Sequence, residues 1–299
     1  MKLSIGRKTR LHGQTAILLS PWMITFLVFW LFPLIYALYM SFTRYLTLRN
    51  EAEWIGFDNY ARIFSDDLFW TALANTSIFV VGTIPFTTAL ALGLALAVHR
   101  IKRFRNFFRS AFFLPSVSSL VVLSLIFTNL YAKDGYINNL LQMLGLDYPE
   151  RGWLLEPSTA LFAVMGMEVW ISAGYYMVIF LAALQTIPKD YYEAAELAGA
   201  NLWTQLTRIT IPLLRPTLLF VLVINTIKSF QVFVEIYVMT KGGPLHATTT
   251  LIYQVFINAF EKADMMGYAA ALAYVVFIII LLFSLLQIKI LRIDRGTGE

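Results

Sequence analysis

Three ionisable side chains lie deep inside long apolar stretches of this chain: Glu168, Lys228 and Glu235. A charge in hydrocarbon is costly, so such groups pair with one another or face a water-filled cavity. At about 100° per residue, Asn225, Lys228, Ser229, Val232 and Glu235 share one face of a helix. Glu168, Ser172 and Tyr175 share one face of another. Two polar stripes of this kind fit two helices lining a wet cavity. They also fit a single buried ion pair, Lys228 with Glu168 or Glu235, that only aligns the helices. Other chemistries are poorly served. The chain has no cysteine, which excludes disulfides, thiol nucleophiles and thiolate-held metals. Its three histidines (His12, His99, His246) are far apart and have no metal-ligand spacing. No Gly-x4-Gly-Lys-Ser/Thr phosphate loop is present, and no Ser/His or paired-Asp cluster suggests a membrane-embedded hydrolase. We therefore expect no catalytic and no metal site.

The elements that must position these charges are set by composition. Of the 299 residues, 59% are hydrophobic and 14% charged, against about 45–50% and about 25% in soluble domains. A polytopic helical membrane protein follows. Six stretches reach the roughly 20 apolar residues needed to cross a bilayer, at 15–40, 73–98, 110–131, 159–184, 216–239 and 268–291. They are continuously apolar, with no period-2 alternation, so an all-α chain is expected rather than a barrel. Pro21, Pro33, Pro85 and Pro115 fall in or near these spans and are expected to kink them. The domain reading is an amino-terminal segment at 1–14, a six-helix region at 15–291 and a tail at 292–299. The first span reads as an uncleaved anchor, being too long for a signal peptide. Basic residues divide unevenly: 15 lie on the side of the two termini, and 7 lie in the three opposite loops beside 11 acids. The positive-inside rule then places both termini in the cytoplasm and the loops at about 41–72, 132–158 and 240–267 outside. The net charge of +5 is thus a topology signal, and no nucleic-acid partner is expected.

The basic-side segment at 187–212 reads as two short helices with a break. Asp190, with Glu193 three residues on, suits an N-cap and capping box. Gly199 suits a left-handed C′ position. Asn201 can cap a second helix, which Pro212 would end. Such a hairpin, with small residues on its first arm, can take the close approach of another protein or lie on the lipid surface.

Glu193-Ala194-Ala195, then Gly199, then Ile209-Thr210-Ile211-Pro212 after nine residues, resembles the EAA loop of ABC importer permeases. Ile211 stands where that family has Leu. The stretch from Lys241-Gly242-Gly243-Pro244 to Thr248-Thr249-Thr250-Leu251, followed by Gly267-Tyr268, is similar to the carbohydrate branch, which includes maltose and glycerol-3-phosphate permeases. A tight turn alone explains the glycines but not the threonines. The resemblance implies a type I importer permease fold, in the bacterial inner membrane. It implies four kinds of partner: a second permease subunit, two ATP-binding subunits, an extracytoplasmic solute-binding protein and surrounding lipid. ATP and Mg would be bound by the ATPase subunits, with no cofactor in this chain. Glu193, Ala194, Ala195, Gly199, Ile209 and Pro212 would form the coupling loop. Glu168, Asn225, Lys228 and Ser229 fall near the family's sugar-contacting positions, and Tyr175, Tyr176, Gln231 and Glu235 would complete a pathway for a carbohydrate.

Overall fold

The computed structural model describes residues 18–46, 51–101 and 103–293, with the side chains of 291–293 left aside. Five helices in it are long and apolar enough to cross a membrane, or six if one sharply bent pair counts as a span. The expected amino-terminal segment at 1–14 lies outside the described residues, as do 294–299 of the expected tail.

The chain divides into two compact units, one of Met1–Ser65 and Val255–Tyr274, the other of Asp66–Gln254 and Val275–Glu299. In the first unit, α1 (Leu18–Ser41) is almost wholly exposed and apolar. A π segment, Leu27–Leu31, precedes Pro33 in it. Such a widened turn is one way a helix absorbs the missing N–H of proline. A small antiparallel hairpin follows, β1 (Thr43–Leu46) with β2 (Glu51–Trp54), which hydropathy did not announce. It leads to α2 (Asp58–Phe64). Asn59 fastens the corner between α1 and β1: its buried amide donates to the carbonyls of Ser41 (2.9 Å) and Thr43 (3.0 Å). Tyr274, in the first part of α13 (Met266–Ile293), donates its hydroxyl to the Leu34 carbonyl across this unit.

The second unit is organised on α3 (Asp67–Arg100), capped by Asp66 through the Leu68 amide at 2.9 Å. Its partner is α7 (Ala160–Leu184). Ala91, Ala95 and Val98 of α3 pack against Tyr176, Met177, Phe180 and Leu184 of α7, joined by Leu214 and Val221 from α10 (Ile211–Phe230). Small residues at such a contact let backbones approach where lipid offers no hydrophobic drive.

Two expected spans are not continuous helices. The stretch at 110–131 is α4 (Arg105–Val117) and α5 (Leu120–Leu130), bent by 94°. Ser118 and Ser119 are extended at the bend, and the Ser118 amide turns back to Pro115. The Phe112 carbonyl of α4 lies against Gly174 of α7 so closely that a Cβ there would collide with it. The stretch at 216–239 is α10 followed by α11 (Val234–Met239), with Gln231, Val232 and Phe233 between them outside any helix. The remaining elements are α6 (Tyr136–Met143), α8 (Asp190–Leu197), α9 (Leu202–Gln205) and α12 (Leu251–Phe256), with π segments at Leu206–Thr210 after α9 and Ile257–Glu261 after α12.

Candidate functional site: an intramembrane charge cluster and an exposed helical hairpin

The three intramembrane charges converge. The Lys228 ammonium lies 3.1 Å from Glu168 Oε1 and donates to Ser172 Oγ at 2.8 Å. Ser172, one turn along α7, donates in turn to the same Glu168 oxygen at 2.5 Å. Glu168 and Glu235 are both 4% exposed. Glu168 Oε2 has no hydrogen-bond partner among the described residues, and Glu235 lies on the same cluster from the far side of the break. One helical face from Asn225 to Glu235 therefore does not exist, because the break at 231–233 interrupts it. Lys228 and Glu235 reach Glu168 from separate helices.

Two cavities meet at Lys228, whose side chain is 48% exposed. One, of about 510 Å³, is walled by Phe79, Leu120, Glu168, Ser229, Phe233 and Glu235 among others. The second, of about 360 Å³, has Ser116, Tyr175, Tyr176, Ile224 and Ile227. Gln231, at the break, belongs to both. Tyr175 offers an open ring, packed edge-on at 5.2 Å against Tyr176. Tyr176 has no exposed surface and belongs mainly to the α3–α7 core. Asn225 lines neither cavity; it is buried, accepting from Ser229 Oγ at 3.4 Å. Ser229 also bonds Thr83 Oγ1 at 3.2 Å, tying α10 to α3. Leu120 and Ser116 were missed by sequence reasoning. They reach the cavities because the chain turns at 118–119, and the Pro115 and Ser118-Ser119 run was the available signal.

The segment at 187–212 forms the expected two-armed hairpin, with two corrections. Asp190 does not cap α8. Lys189 already has helical dihedrals and no side-chain cap is made, so Asp190 and Glu193 both sit in the first turn, where their charge favours the helix dipole. Pro212 does not end the second helix. From α9 the chain passes through a π segment, Leu206–Thr210, directly into α10, where Pro212 occupies the first turn and needs no N–H partner. Gly199 is left-handed at φ +79° and terminates the first arm. Asn201 caps the second, accepting from the Thr204 amide at 2.8 Å. Tyr192 bonds Thr210 at 3.0 Å and so ties the arms together. Glu193, Ala194 and Gly199 are exposed, and Ala195 is half-buried. Ile209 is half-buried within the π segment. Leu197 is 92% exposed one turn beyond Glu193, giving α8 an outward pair of one acid and one large apolar group.

The threonines after Gly242-Gly243-Pro244 now have a reason. Thr248 Oγ1 donates to the Gly243 carbonyl (2.6 Å), Thr249 Oγ1 to that of Gly242 (3.0 Å), and Thr250 Oγ1 to that of Val232 (3.1 Å). They satisfy carbonyls of irregular backbone, at the Gly242-Gly243 turn and at the break between α10 and α11, which no helix ladder serves.

Long apolar helices, one of them broken beside a buried charge cluster, and an exposed helical hairpin between spans describe a multi-pass membrane protein. The solved structure of a bacterial alginate ABC transporter, in complex with an alginate pentasaccharide-bound periplasmic protein, contains a chain similar to this one. The TM-score is 0.83 at 26% identity, covering 98% of this chain and 99% of that one. The chain belongs to the family of binding-protein-dependent transport system inner membrane components, which matches residues 89–290. It is 36% identical to the lactose transport system permease protein LacF of Rhizobium radiobacter, over 87% of this chain and 88% of that protein. It is 33% identical to the arabinooligosaccharides transport system permease protein AraP of Bacillus subtilis, over 93% and 88%.

Proposed function

We propose that this chain is one of two permease subunits of an ATP-driven importer, and forms half of the pathway for a sugar or sugar-like solute. An extracytoplasmic binding protein would deliver the solute. Two separate ATPase subunits would bind ATP and Mg, and both termini of this chain would lie in the cytoplasm of a bacterial cell. The observation that carries the reading is the α8–Gly199–α9 hairpin. It presents Glu193, Ala194 and Leu197 outward, yet is rooted by its π segment directly in α10, the helix that bears Lys228. Force applied to the hairpin therefore reaches the charge cluster through one helix. Closure of the ATPase pair would move the hairpin, turn the pathway outward, and hydrolysis would reset it.

The solute class is supported by the relatives, which carry lactose and arabinooligosaccharides by name. It is also supported by the pairing of an open Tyr175 ring with hydrogen-bonding groups at Lys228 and Gln231, the combination that a carbohydrate's apolar and polar faces require. The test is reconstitution of the complex in liposomes with its binding protein. Uptake of a neutral oligosaccharide, with ATP hydrolysis stimulated by the loaded binding protein, is expected. Uptake of amino acids or peptides with no response to any carbohydrate overturns the reading.

A further inference from the structure

Behind the coupling hairpin lies a cavity of about 740 Å³, larger than either pathway cavity. Its wall is apolar along Leu96, Leu184, Leu202 and Leu206, and polar at Gln205 and Thr210. It lies where α3 ends at Arg100 and α7 at Leu184. At that rim stand His99 and Arg100. Arg105 donates to His99 Nδ1 at 3.4 Å, and Lys189 is close enough to act on the same imidazole. Arg100, Arg105 and Lys189 make no salt bridge among the described residues. The one acid on the wall, Glu196, comes from α8. Trp203, 71% exposed, stands beside the opening, where an indole suits the boundary between water and lipid.

From this combination we propose that the cavity is a binding site for one anionic phospholipid, its phosphate on the Arg100–His99–Arg105 cluster and an acyl chain along Leu96, Leu184 and Leu206. A mostly apolar slot whose basic groups, His99 and Arg100, stand at one end matches a molecule that is apolar along its length and negative at one end. A soluble anion would use the rim and leave the slot empty. The π segment supports the assignment: Leu206 and Thr210, its two ends, both line the cavity, so the widened turn keeps the slot open. On α8, Tyr192 and Glu196 are one turn apart and face the cavity. Glu193 and Leu197 follow each by one residue, about 100° further round the helix. The hairpin thus has one face for the lipid and another for docking, and the bound lipid is a wedge that fixes the angle at which the docking face is presented.

The experiment is native mass spectrometry of the assembled complex extracted in mild detergent, then titrated with phosphatidylglycerol, with phosphatidylcholine or with inorganic phosphate. Wild type is expected to retain one phosphatidylglycerol per copy of this chain in preference to phosphatidylcholine. Arg100→Ser with Arg105→Ser removes two charges, each worth about 1 kcal/mol toward an anionic headgroup, and should weaken retention about 30-fold. Leu96→Trp fills the slot and leaves the rim charge intact; it should weaken retention to a similar degree. Equal retention of phosphatidylcholine, full competition by inorganic phosphate, or undiminished lipid in Leu96→Trp each overturns the proposal. So does cross-linking of residue 203 to an ATPase or second permease subunit in place of lipid, when a photoreactive residue is installed there.

Discussion

Breaking the Lys228–Glu168 pair is the most informative perturbation of the intramembrane cluster. Lys228→Met keeps the length and apolar stem of the side chain and removes its charge. Glu168 is then left with Ser172 on Oε1 and with the Glu235 carboxyl of the same cluster beside it. Removing one member of a fully buried pair costs about 3–5 kcal/mol, because the survivor is an uncompensated buried charge. An exposed pair is worth under about 1 kcal/mol. The side chains here are 48% and 6% exposed for Lys228 and Glu168, so the cost falls between these limits, at about 2 kcal/mol. For a unit of this size that corresponds to roughly 4–8 °C in the melting midpoint. Glu168→Gln combined with Lys228→Met removes both charges and should recover most of the loss. The assay is the melting midpoint of the detergent-solubilised complex for wild type, both single variants and the double variant, beside solute-stimulated ATP hydrolysis. If the pair only aligns helices, the double variant recovers stability and solute response together. If it lines the pathway, stability returns and solute affinity does not. Effects that add to within about 0.5 kcal/mol would show that the two groups are not coupled and would refute the reasoning.

Three further outcomes are expected. Glu193→Lys reverses the charge of an exposed residue whose side chain makes no hydrogen bond or salt bridge among the described residues, so membrane abundance should be unchanged while solute-stimulated ATP hydrolysis falls to the unstimulated level; immunoblotting beside an ATPase assay checks both. Thr249→Val removes the bond to the Gly242 carbonyl, which keeps only the 3.4 Å contact from the Thr248 amide; a loss of about 1 kcal/mol is expected in the melting midpoint. Gly174→Ala places a methyl group against the Phe112 carbonyl of α4. Because backbone must shift, overpacking of about 2–3 kcal/mol is expected, seen as reduced yield of folded complex, whereas Gly166→Ala, with only one side-chain contact at 3.4 Å, should be tolerated.

The number and place of the apolar helices were legible because hydropathy is a property of long windows, and a bilayer imposes a minimum length. The interruption at 231–233 was not, and that at 118–119 was legible only as a kink expected at Pro115, because a window average carries no backbone direction. Leu120 to Leu130 is as apolar as any span, and only Pro115 and two serines mark the turn. Local capping chemistry was read well where a residue has one strong role. Gly199 takes its left-handed position and Asn201 its cap. It failed where two positions compete. Lys189 and Asp190 can each begin α8, and Pro212 is as acceptable in a first turn as beyond a last one. The threonines at 248–250 were unreadable alone, since the carbonyls they satisfy belong to residues 5 to 18 positions away.

The charge cluster was anticipated from a helical face that the structure does not have, and the reason it nonetheless forms is energetic. Lys228, Glu168 and Glu235 are each too costly to leave in lipid alone, so any backbone path that packs must bring them to one another or to water. The break supplies both. Ending α10 at Phe230 frees carbonyls that an unbroken helix would have used, and irregular backbone at membrane depth survives only where it is buried or lines a cavity. Here it does each in part. Val232 gives its carbonyl to Thr250, and Gln231 turns to both cavities. Thr250 belongs to the same threonine run that fastens the Gly242-Gly243-Pro244 turn, so that turn and the broken helix are held by adjacent residues.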